Sequence, residues 1–133
     1  MLADSPGHPT LAAVSRICLA LPETTCERHG GHAIFKVRKR VFAYFLDNHH
    51  GDGIVAIACK TALGENEEMA KRDPKRFYLP AYIAPRGWVG LRLDRGKVEW
   101  REVADLAAAS YRLVAPKKLA AAAGEATGDP RPK

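Results

Sequence analysis

The chain has 133 residues, of which 47% are hydrophobic and 27% charged, the balance of one ordinary globular domain with enough apolar mass for a core of its own. No apolar run approaches the ~20 residues of a membrane span, and the amino terminus lacks the basic-then-apolar order of a secretion signal, so a cytoplasmic protein without membrane association is expected. Lys and Arg outnumber Asp and Glu by 21 to 15, a formal charge of +6 that favours a polyanionic partner such as nucleic acid.

Pro6, Gly7 and Pro9 make residues 1–9 a flexible lead-in. Thr10 is then read as an N-cap, after which Leu11, Val14, Cys18 and Leu21 recur at three- and four-residue spacing, the mark of a helix with one buried stripe that Pro22 stops. From residue 24 the period shortens to two. Segments 24–28, 33–37, 41–46 and 54–59 are rich in aromatic and β-branched residues and separated by turn chemistry, and connections this short join only antiparallel neighbours. A four-stranded meander follows.

A second helix is predicted over 64–72, with Glu65, Glu67 and Glu68 at its positive end and Lys71 and Arg72 at its negative end. Asp73-Pro74 opens a further helical turn, and Tyr82 and residues 88–93 return the chain to the sheet. A third helix begins after Glu99, with Glu102 placed for a capping box and Val98 for a staple on Val103. Val103, Leu106, Ser110, Tyr111 and Val114 form the face that should lie on the sheet, placing Tyr111 and Trp88 in the core between them, and Pro116 ends the helix. Residues 10–119 are thus a single domain of the α+β class, and 120–133, poor in bulky apolar residues, read as a disordered tail.

Three constellations could carry chemistry. KVRKR (residues 36–40) sets Lys36, Arg38, Lys39 and Arg40 at a hairpin tip, where they could neutralise phosphates of duplex DNA. Arg38 and Lys39 accept positive φ poorly, so a longer or bulged loop is expected there rather than a two-residue primed turn. DNHHGDG (residues 47–53) offers His49, His50 and Asp52 beside turn residues, and reads as an exposed loop for a small molecule or protein partner, with Arg86 across a cleft. Cys26, His29 and His32 recur at every third position, but adjacent imidazoles and a missing second ligand pair argue against metal at either place. The three cysteines, Cys18, Cys26 and Cys59, lack a CxxC pair and read as reduced thiols. Neither a nucleophile elbow nor a phosphate-cradling glycine loop is visible, so no cofactor is expected and catalysis is the less economical reading.

FYLPAYIAPRGWVGLRLD (residues 77–94), followed by a segment ending YRLVAPKKL, resembles the MmcQ/YjbR-like family of small bacterial proteins. CLALPET (18–24), AIFKV (33–37), VFAYFLDNHHGDG (41–53) and Asp73-Pro74 extend the resemblance over roughly residues 10–120. It implies a two-layer α+β fold and, through the label such proteins commonly carry, DNA binding, which a tip of Lys and Arg with little Asn or Gln would make weakly sequence-selective. The chain departs from the family pattern at residues 38–39, where a glycine-containing turn is usual, and at His32, where the family often has proline.

Overall fold

Proline suits the first helical position, where an N–H would have no partner, and the first helix, α1 (Pro9–Leu19), starts there rather than after a Thr10 cap. The structure, a computed structural model, describes residues 9–48 and 51–128. Leu11, Val14 and Cys18 are buried along one side of α1. The Thr24 hydroxyl lies 3.0 and 2.9 Å from the carbonyl oxygens of Cys18 and Leu21, closing the end of the helix.

Six strands follow: β1 (Thr24–His29), β2 (His32–Val37), β3 (Arg40–Asp47), β4 (Val55–Lys60), β5 (Phe77–Tyr78) and β6 (Trp88–Arg92). They form one sheet in the order β1-β2-β3-β4-β6-β5, every neighbouring pair antiparallel. The meander of the first four strands is as the periodicity predicts. The two-residue β5 was not foreseen; it pairs along the outer edge of β6, with Phe77 opposite Leu91 and Tyr78 opposite Gly90.

Helix α2 (Glu65–Arg72) precedes β5, and a short 3-10 turn (Ala84–Arg86) precedes β6. Helix α3 (Trp100–Val114) lies with α1 on one face of the sheet, where Phe35, Phe42, Phe45, Ile57, Val89 and Leu91 meet Val103, Ala107 and Tyr111. Period-two alternation puts every other residue of each strand on this side. The result is the predicted α+β, two-layer arrangement.

One hydroxyl ties the layers together. Between Phe35 and Lys36 the β2–β3 register shifts, leaving Phe42 as the extra residue of a bulge on β3. Its carbonyl, which a regular ladder would pair with β4, instead accepts from Ser110 Oγ at 2.6 Å, and that hydroxyl oxygen in turn accepts from the Lys60 N–H at 2.8 Å. Ser110 is completely buried. Next to it, Tyr111 meets Phe42 edge-to-face at 5.4 Å and donates its hydroxyl to the Pro22 carbonyl at 2.7 Å. The polar position in an otherwise apolar helix face is therefore the splice between α3, β3 and β4.

Several local expectations are corrected. Val37 pairs with Arg40 across a two-residue turn in which Arg38 and Lys39 both take positive φ, 49° and 71°, so the hairpin is a primed turn after all. Such a turn matches the right-handed twist of the flanking strands, and that match outweighs the side-chain penalty. Tyr82 does not return to the sheet: it sits in a turn at φ 72°, 83% exposed. Trp88 is buried, at 6% exposure, but on the face of the sheet away from α3, grouped with Leu46 and Ala58. Helix α3 is capped by Glu99 without a side-chain bond. Glu102 forms no capping box because its carboxylate is taken by the Arg76 guanidinium, which also reaches Asp73 at 2.7 Å and stacks over Phe77. Beyond Pro116 the chain forms a fourth helix, α4 (Lys117–Gly128), where a tail was expected from residue 120. Its run of alanines has the highest helix propensity of any residue, and Leu119 packs against the core.

Replacing Ser110 by Ala should leave a buried N–H and a buried C=O unpaired. At about 1–3 kcal/mol for each such group, a loss of about 2–6 kcal/mol is expected, visible as a lower midpoint in denaturant unfolding. An unchanged midpoint would show that the β3–β4 junction does not need this hydroxyl.

Candidate functional site

The face of the sheet away from α1 and α3 is built from different residues. A single row runs across four strands, Tyr44 opposite Ala58, Ala58 opposite Gly90 and Gly90 opposite Tyr78, so two tyrosines flank two of the smallest side chains. A Cβ at Gly90 would lie 2.4 Å from Cε1 of Tyr78, which means the Tyr78 ring lies flat across β6 where only glycine leaves room. Tyr44 packs on Trp88 with ring centroids 5.2 Å apart.

Between β5 and β6 the chain folds back over this face and is pinned at its far end. Asn66, buried on α2, donates through Nδ2 to the carbonyls of Ala84 and Trp88, both at 2.9 Å. Thr61 N–H and Oγ1 both reach the Gly87 carbonyl, at 2.8 and 2.7 Å. Gly87 itself, at φ 98°, passes so close to the Thr61 carbonyl that a Cβ would stand 2.7 Å from it.

The fold-back encloses a pocket of about 360 Å³, within the size range of small-ligand sites. Tyr44 and Leu46 form its strand wall, Pro80, Ala81 and Ile83 the opposite wall, and Tyr78, Tyr82 and Asp52 complete the lining. Burial, reinforced by the nearby Asp52 charge, pushes the Tyr78 phenol up to about 12, so this hydroxyl stays a hydrogen-bond donor at neutral pH. Arg92 opposes the shift, but its guanidinium is held by both oxygens of Asp94, at 3.0 and 3.1 Å.

Of the loop expected to face a partner, Asp52 lines this pocket and Arg86 does not. His49 and His50 lie outside the described residues. The rest of the loop is closed on itself as a turn: Asn48, at φ 59°, receives the Gly53 N–H on Oδ1 at 2.7 Å, and Asp52 Oδ1 receives the Ile54 N–H at 2.9 Å. Cys26 and His29 project to opposite faces of β1, and His32 Nε2 donates to the Asp47 carbonyl at 3.1 Å. Among the described residues no group of three metal-ligating side chains converges.

The basic hairpin is divided. Lys36 pairs with Glu27 at 2.8 Å and Arg38 with Glu23 at 2.5 Å, and these bonds hold both carboxylates below their usual range. Lys39 and Arg40 are exposed and form no ion pair among the described residues.

Tyr44, Tyr78, Tyr82 and the walls around them were not foreseen as a site. Their aromatic character suggests core packing, and only the pairing of β5 with β6 and the fold-back bring them together. One signal was present: β4 reads Ile57 and Cys59 toward the helices but Ala56 and Ala58 away from them. A central strand with small residues on one side leaves volume there.

Tyr78 is neutral while protonated, so a raised value means that the folded chain holds this proton more tightly than the unfolded one, whose phenol ionises near 10.0. Its contribution to stability is whole below that pH and declines as pH rises towards about 12. Absorbance titration of the phenolates should show a late phase near pH 12 that Tyr78→Phe removes. Loss of no late phase in that variant would place the ring in solvent.

In fold the chain is similar to the Deinococcus radiodurans protein DR2400, whose crystal structure carries a DUF419 domain; the TM-score is 0.63 at 22% identity, covering 78% of this chain and 77% of that one. No curated protein sequence matches. No helix among the described residues is long and apolar enough to cross a membrane. The YjbR family profile matches residues 19–113, which span the whole sheet, the pocket and nearly all of α3, and the chain belongs to the YjbR family.

Proposed function

We propose that this YjbR-family domain is a non-catalytic binding protein whose ligand, a small molecule, seats in the pocket on the open face of the sheet. The observation that carries this reading is the combination of size and lining: about 360 Å³ of space with mainly apolar and aromatic walls and one carboxylate. Small-molecule sites have that make-up, with few polar groups fixing orientation. The two buried thiols offer no competing chemistry. Burial raises Cys18 and Cys59 well above the ordinary range, keeping both as inert thiols, and all three cysteines are free, which supports a reducing, cytoplasmic setting.

A library of small fragments screened by backbone-amide chemical shifts tests this directly. Hits should perturb residues 44–46 and 78–83 together, and Tyr44→Ala should weaken them by roughly 1–3 kcal/mol, the worth of an aromatic contact in a desolvated pocket. Hits scattered over the surface, or none, would remove the reading.

Exposed Lys39 and Arg40 favour a second reading, contact with duplex DNA through the hairpin tip. Since Lys36 and Arg38 are occupied by glutamates, the phosphate contacts would come chiefly from the other two. Such contacts are weakly selective, because these side chains meet phosphates and not base edges. Changing Lys39 and Arg40 to Ser leaves both ion pairs in place and should lower the salt slope of duplex binding by roughly two, near 0.9 for each phosphate contact. Equal slopes in the two proteins, or no parent binding at low salt, would exclude the tip as a DNA contact.

A further inference from the structure

The chain carries a formal charge of +6, yet among the described residues the lining of the open-face pocket contains no Lys or Arg. It contains three of the four tyrosines, Tyr44, Tyr78 and Tyr82, and the carboxylate of Asp52. Arg92, the cation that acts on Tyr78, is matched by Asp94, so among the described residues Asp52, Asp94 and Arg92 together leave one negative charge. An anionic ligand would meet a carboxylate without a counter-charge. A metal ion or a primary ammonium would have to shed a tightly held water shell against apolar walls.

The remaining rim residue points the same way. Tyr82 is held at φ 72°, a conformation that costs a non-glycine residue on the order of 1–3 kcal/mol and persists where the surroundings require it, and its ring is 83% exposed at the mouth of the pocket.

We infer that the pocket takes a small organic ammonium ion alkylated at nitrogen, held among the rings of Tyr44, Tyr78 and Tyr82 and balanced by Asp52. Aromatic rings attract such a cation through the negative potential over their faces. Alkyl groups on nitrogen spread the charge and weaken its hydration, so the ion enters an apolar cage at little cost. The inference rests on the pocket being the binding site and specifies the chemistry of its ligand.

The test uses the full chain with choline and its neutral isostere 3,3-dimethylbutan-1-ol, each titrated against backbone-amide shifts. Choline should perturb residues 78–83 and bind about tenfold more tightly than the isostere, the scale of a desolvated cation–aromatic contact. Asp52→Asn keeps an oxygen for the Ile54 N–H, so the turn survives while most of the preference for choline is lost. Tyr82→Ala should weaken choline more than the isostere. If the isostere binds at the same residues as tightly as choline, the cation inference is wrong and the pocket reading stands. If neither ligand perturbs the pocket, the cation inference is also wrong, and the fragment screen then decides the pocket reading on its own.

Discussion

A methyl group at position 90 would stand 2.4 Å from the Tyr78 ring, and the open half of this molecule follows from its absence. With no side chain on β6 at that point, the ring lies across the strand, and β5 can pair through only two residues and still be anchored. From that anchor the chain turns back over the sheet through Pro80 and Ile83, and Asn66 and Thr61 fix where it rejoins. A larger residue at 90 would lift the ring and with it one wall of the pocket. The glycine is thus a condition of the candidate site as much as of the strand.

The helix-bearing half is organised by a different economy of polar groups. A bulge at Phe42 breaks the β3–β4 ladder, and the freed carbonyl and the Lys60 N–H are both satisfied by Ser110 from above. Tyr111 then reaches through the core to the Pro22 carbonyl, joining α3 to the end of α1. The Ser110–Phe42 bond is buried and the other two are partly so, and breaking them would leave desolvated groups unpaired. The helix layer therefore has one seating on the sheet, and the opposite face is left to form a site without being needed for the core.

Much of this architecture is legible in the residues. Period-two alternation marks the four-strand meander, and the stripe of Leu11, Val14 and Cys18 marks α1. Legibility ends where the answer depends on which strands become neighbours. Trp88 is apolar and buried in either reading, but the pairing of β6 with β4 decides its face, and Lys60 opposite Trp88 sets it away from the helices. Arg38 and Lys39 resist positive φ as individual residues, whereas the twist of the two strands they join demands it. Glu102 fits a local capping rule, but Arg76, distant in sequence, competes for its carboxylate and wins with several donors. Of the candidate site, Asp52 was visible as a loop carboxylate, while the tyrosines were hidden among residues equally suited to a core.

The same physics separates the two surfaces on which function could rest. The hairpin cations are half neutralised by Glu23 and Glu27, while the pocket combines apolar and aromatic walls with the carboxylate of Asp52. The clearance at Gly90 is what makes that pocket, and Gly90→Ala is the most direct measurement of it. The fragment that best perturbs Tyr44 and Tyr78 in the parent should bind the variant at least about tenfold more weakly, a change of ~1.4 kcal/mol, while amide shifts around Tyr111 and Phe42 remain native. Equal affinity in the two proteins, with the same residues perturbed, would contradict the account.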